Sequence, residues 1–150
     1  MTKFSDLQDA LSAGIARDNE THEKARRFCL GFASEFATFL GVANERVFFV
    51  KKELEVDTAS RNIIPPEDPI EHVDGMMTAT LVFRVDNTDV FVPFSLALDP
   101  LADALTVTLD QNRQQQFDVR QGIPPVCEHI HGLAIARFSS GLKIDSVVTL

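Results

Sequence analysis

One apolar stripe runs through the first forty-one residues with the period of an α-helix. Its positions are Phe4, Leu7, Leu11 and Ile15, then Ala25, Phe28, Phe32, Phe36 and Phe39, in steps of three and four within each run. Ser5 is the expected N-cap, with Asp6 in the first turn, and Gly41 stands where helices end on a left-handed residue. Between the two runs lies the polar block Arg17–Lys24. Its Glu20–Lys24 and Glu23–Arg27 spacings favour an unbroken helix. Length argues the other way. Thirty-six helical residues span about 54 Å, whereas a globule of this chain length is about 35–40 Å across. The helix therefore either breaks near Asp18–Thr21 or carries residues 1–20 outside the domain as an arm. In the second case Phe4, Leu7, Leu11 and Ile15 need another chain to cover them.

From Arg46 the period changes to two. Arg46–Val56 reads as a strand and 57–75, with Pro65, Pro66, Pro69 and many acids, as an exposed acidic loop. Met77, Ala79, Leu81, Phe83 and Val85 share one face of the next strand. Val90, Val92, Phe94, Leu96 and Leu98 share one face of its successor, across a turn at Asp86–Asp89. Pro93 predicts a sheet edge or a bulge there. Leu105–Leu109 and Gln115–Arg120 complete a meander. Pro124-Pro125 opens a second helix to about Phe138, and Lys143–Leu150 is a closing strand. The reading is one α+β domain over residues 1–150. A long or broken N-terminal helix packs on an antiparallel meander of five to six strands, with a short C-terminal helix.

Composition narrows the function. The net charge is −8, the reverse of a basic nucleic-acid footprint. Trp and Tyr are absent and twelve Phe carry all the aromatic content, which suits a core better than a base-stacking surface. No apolar run of membrane-spanning length occurs. Neither a signal peptide nor a disulfide framework is visible, since Cys29 and Cys127 are the only cysteines. The expected location is the cytoplasm, without nucleic-acid or membrane partners.

Local chemistry concentrates at Cys127-Glu128-His129-Ile130-His131. On a helix Cys127 and His131 face the same way, a pair of ligand types that suits zinc but is two short of a site. Cys127 in a first helical turn is also a candidate reactive thiol. The acidic loop with His72 lacks the calcium-loop pattern. No nucleophile elbow, phosphate loop, dinucleotide fingerprint or zinc-protease motif occurs. No catalytic residue and no cofactor is predicted.

Apolar surplus remains. Phe28, Phe32 and Phe36 form a ladder on the first helix, and Phe49, Val82 and Phe91 fall on the strand faces that should point outward. These six are the candidate interface residues, and one shared patch of Phe49, Val82 and Phe91 is the specific expectation. The function expected is a non-catalytic interaction module, adaptor- or chaperone-like, paired with a second copy of itself. A small-molecule binder or enzyme is the first alternative, with Phe83, Phe94 and Phe117 lining a pocket and His129 or His131 at its mouth. A component of a larger bacterial or phage assembly is the second.

Overall fold

The structure, a computed structural model, describes residues 2–51, 68–73, 76–99, 104–109, 115–140 and 147–150. Helix α1 spans Lys3–Leu40 without a break. The expected cap shifts three residues: Thr2, not Ser5, caps it, its hydroxyl accepting from the Ser5 N–H. Thr2 sits in extended backbone while Ser5 already lies inside the first turn, and a cap must be the last non-helical residue. Gly41, at φ 75°, ends the helix, its N–H bonding back to Ala37 and Thr38. Continuity is reinforced in the polar middle by Glu23, which binds Arg26 at 2.8 Å and Arg27 at 3.3 Å.

Strand β1 (Val47–Val50) follows a short 3-10 turn at Asn44–Arg46. The remaining strands are β2 (Glu71–Val73), β3 (Met76–Val85), β4 (Thr88–Asp99), β5 (Ala104–Leu109), β6 (Gln115–Asp118) and β7 (Val147–Thr149). Helix α2 (Pro124–Ser139) lies between β6 and β7. The sheet order is β1-β3-β4-β5-β6. β2 continues the β1 edge of β3, and β7 continues the β5 edge of β4. The architecture is α+β as expected, with three refinements. The described part of the expected 57–75 loop contains β2, and Pro69 and Ile70 are buried, because Ile70 joins the main core. The rest of that loop and Lys52–Val56 lie outside the described residues. The closing strand β7 runs parallel to β4.

Pro93 is the third. It lies at no edge: β4 is central, and Pro93 pairs with Thr80 of β3. Along its other edge, β4 pairs with β7 over Asp89–Phe91 and with β5 over Phe94–Asp99. The Phe91 carbonyl accepts from Leu150, so its main-chain groups face β7. Two residues on, Pro93 faces the same side, and among the described residues no strand pairs with it there. Its missing N–H therefore costs no ladder bond.

Both helices pack on one face of the sheet. Ala25, Phe28, Cys29, Phe32, Ala33, Phe36 and Ala37 of α1 and Val126, Cys127 and Ile130 of α2 join the inward residues of β1 and β3–β5 in one core. The centre is aromatic. The Phe32 ring lies 5.3 Å from Phe94 and 6.1 Å from Phe49, and Phe36 lies 5.2 Å from Phe83, all edge-on. Phe49 therefore does not share a face with Val82 and Phe91, and the single patch expected of the three does not exist. Val82 and Phe91 form a second cluster with Val50, flanked by Phe48 and Val147, on the other face. Alternation fixes this: Phe49 pairs with Leu81, and Phe48 with Val82. Replacing Phe32 by Ala removes the ring that joins helix to sheet. Urea denaturation followed by far-UV circular dichroism should show a loss of about 3–5 kcal/mol.

Candidate functional site

The stripe on α1 is covered for only half its length. From Thr2 to Glu20 every residue but Ser5 is exposed, and the first continuous stretch of at least half-buried residues begins at Thr21. Phe4, Leu7 and Leu11 are about two-thirds exposed and Ile15 is 52% exposed. At 100° per residue these four lie on the same face as His22, Ala25, Cys29 and Phe36. The arm thus prolongs the core-facing stripe, and the sheet beneath it stops. The eighteen helical residues of the arm are about 27 Å long.

Where the cover stops, α1 meets a polar chain. His22 Nε2 lies 2.5 Å from Asp68 Oδ2, and His22 Nδ1 lies 2.7 Å from His72 Nε2. The other Asp68 oxygen accepts from the Ile70 N–H at 3.1 Å. Burial pushes the Asp68 carboxyl up. The hydrogen bonds from His22 and Ile70 and the charges of His22 and Lys51 outweigh it, holding the group below its ordinary value. The ionised carboxylate makes His22 Nε2 a donor. A neutral His22 then accepts at Nδ1 from His72. The two ring planes differ by 17°, with centroids 5.0 Å apart. That separation equals the nitrogen–nitrogen distance plus a ring radius on each side, the largest value the contact allows, so the rings are nearly coplanar and meet head-on. The gap suits a proton. A zinc ion needs about 2.0 Å to each nitrogen, and the head-on gap is too short to admit one. Among the described residues, no group of three or more His, Cys, Asp or Glu is arranged to hold a metal.

Neither thiol is activated. Cys29 is buried, and its thiol is pushed up to about 12, by burial first and then by the Asp68 charge. Cys127 is pushed up to about 11 by burial and by Glu35 and Glu128, against its own backbone hydrogen bond. The position in the first helical turn does not offset this. Cys127 faces the core, while exposed His131 meets the edge of Phe39 at 5.8 Å and His129 packs on Phe117 at 5.4 Å.

The six interface candidates, Phe28, Phe32, Phe36, Phe49, Val82 and Phe91, are all buried within the chain itself. Phe83 and Phe94 are packed against α1. An open cleft lies elsewhere, between α1 and β1, with Cys29, Leu30, Ala33, Val47, Phe49 and Pro69 among its walls. Its volume is about 170 Å³. His22 and His72 are fifty residues apart, so no local motif announces them. No family model, curated protein or solved structure matches this chain.

Two outcomes follow. In native protein at neutral pH both thiols should react with iodoacetamide at least about 100-fold more slowly than free cysteine, whose value is near 8.5, and at the ordinary rate in urea. The lowered Asp68 carboxyl contributes stability above its unfolded value near 3.9, and that contribution is lost as pH falls through the lower folded value. Asp68→Asn should therefore be less stable than the parent at pH 6, the difference shrinking below about pH 4 in urea titrations.

Proposed function

We propose that this chain is a non-catalytic protein-interaction module, adaptor- or chaperone-like, that works as a homodimer joined through its N-terminal arms. The observation that carries the reading is the uncovered stripe Phe4, Leu7, Leu11 and Ile15 on a helix that leaves its own domain. Outside the core the arm is held by helix propagation alone, whereas most helical stability in proteins comes from packing of an apolar face. The four side chains offer on the order of 400 Å² of apolar surface per copy, judged from the size of such side chains. With flanking polar rows, two arms approach the roughly 1,200 Å² at which specific interfaces begin.

The stripe is complementary to itself when two arms run antiparallel. In an antiparallel pair centred on Leu11, Leu7 of one arm meets Ile15 of the other. Lys3 then falls within one residue of the position that faces Asp18. A parallel pair would set each charge against its own copy. The antiparallel arrangement is two-fold symmetric and closes on itself, as dimer interfaces do. The buried candidates Phe28, Phe32, Phe36, Phe49, Val82 and Phe91 then serve packing, and the docking residues are those further out on α1.

A small-molecule function would draw, among the described residues, on the cleft beside β1. The cleft beside β1 holds about 170 Å³, below the 300–1,000 Å³ usual for ligand pockets.

Sedimentation equilibrium tests the reading. The parent should be a dimer, and Leu7→Glu with Leu11→Glu should be a monomer with unchanged helix content, since Glu is a good helix former. A parent that stays monomeric, or a double variant that stays dimeric, rejects the arm-paired dimer. A monomer whose arm is trimmed by protease would point instead to docking within a larger assembly.

A further inference from the structure

We infer that Asp68, His22 and His72 form a proton-operated latch between α1 and β2. The latch stays closed while the two imidazoles share at most one positive charge, and it opens when both are charged. The inference stands on the head-on geometry and does not depend on the dimer reading.

The argument is one of proton counting. With both rings neutral, His22 Nε2–H donates to Asp68, and His72 Nε2–H donates to His22 Nδ1. Adding one proton leaves both bonds in place. The added proton settles on His72 Nδ1 and the shared proton passes to His22 Nδ1, so that His22 becomes cationic and donates from both nitrogens while His72 Nε2 turns acceptor. The carboxylate of Asp68 stabilises that cation. Adding a second proton puts N–H against N–H across a 2.7 Å gap, between two like charges. No tautomer relieves this, so the rings must part.

The surrounding charges do not remove the conflict. On α1, Asp18 lies one turn before His22 and Arg26 one turn after it. Arg26 is itself bound to Glu23. Lys51 acts on Asp68. On β2, Glu71 alternates with His72 and belongs to the opposite face. Across the ladder from β2, Met76, Met77 and Thr78 of β3 carry no charge. The latch also sits at a mechanical joint. His22 is one residue inside the point where the exposed arm begins, so opening it frees the root of the arm and the β2 edge together.

Nuclear magnetic resonance on the ¹⁵N-labelled full chain tests this, from about pH 8 to about pH 4.5, either side of the ordinary imidazole value near 6.5. Two readouts are needed: the nitrogen–nitrogen coupling across the His22–His72 hydrogen bond, and the exchange protection of the β2–β3 amides. The two rings should take up their protons one after the other. The coupling should survive the first step and vanish in the second. Protection of the β2–β3 amides should fall at least tenfold with that second step, while the β4–β5 amides stay protected. In His72→Asn the acid-linked fall should be absent. Independent titration of the two rings without any coupling overturns the inference, as does a fall in protection that persists in His72→Asn. The coupling is read on the parent protein, so it decides the matter even where the variant fails to fold.

Discussion

Everything else in this structure is placed by the aromatic seam between α1 and the sheet. Phe32 touches Phe28 and Phe36 along the helix and Phe49 and Phe94 across it, and Phe36 reaches Phe83. Those partners stand on β1, β3 and β4, so one stretch of helix spans the middle of the sheet. A rigid ring buries a large area with few rotamers to fix. A ladder of such rings therefore sets the helix's azimuth as well as its position. The small residues Ala25, Ala33 and Ala37 beside it, all buried, let the helix lie close. With that seam in place, α2 has only the remaining end of the same face to occupy.

The seam also explains why the arm exists. It uses α1 from Ala25 to Ala37, near its C-terminal end, and the sheet extends little further toward the N-terminus. A helix breaker near Asp18 would have let the chain fold back and cover its own stripe. Instead the sequence places charged helix formers there, with Glu23 holding Arg26 and Arg27. Helix propagation then continues past the edge of the core because each added residue closes a further hydrogen bond. The exposed apolar face follows from where the seam ends and from the absence of a stop signal.

That division accounts for what could be read in advance. Helical period, turn residues and the Pro-Pro start of α2 located the elements, because these signals are local. The face of Phe49 could not be read. β1 is apolar at Val47, Phe48, Phe49 and Val50 alike, and alternation identifies a buried face only where the other face is polar. Burial on both sides of the sheet, with Phe91 at 1% and Phe94 at 1% exposure, erased that contrast. Pro93 misled for a related reason. Its rule concerns single partners, and β4 changes partner at that residue. The Asp68–His22–His72 chain was hidden because its members come from a helix and from a stretch near fifty residues away. Cys127 and His131, close in sequence and on one helix, looked more chemical and are less so. Spacing brought them together in the reading, while burial of one and exposure of the other keeps them apart in role.

The position of the histidine chain follows from the same geometry. His22 falls on the stripe, at the first place where the sheet no longer offers an apolar surface. A Leu there would be half exposed, and a Lys would have to bend away from the segment that holds Pro69 and Ile70. An imidazole fits such a boundary. It has a flat apolar body, two directional polar atoms, and a charge that water can still reach. Asp68 is placed to meet it because Ile70, two residues on, is anchored in the core and its N–H fixes the second carboxylate oxygen. A packed residue thus aims the carboxylate, the carboxylate sets the donor on His22, and while both rings are neutral that donor decides which way the proton between His22 and His72 points. The polar joint is specified by the core it borders, which is why a change in protonation there can act on the arm and the sheet edge together.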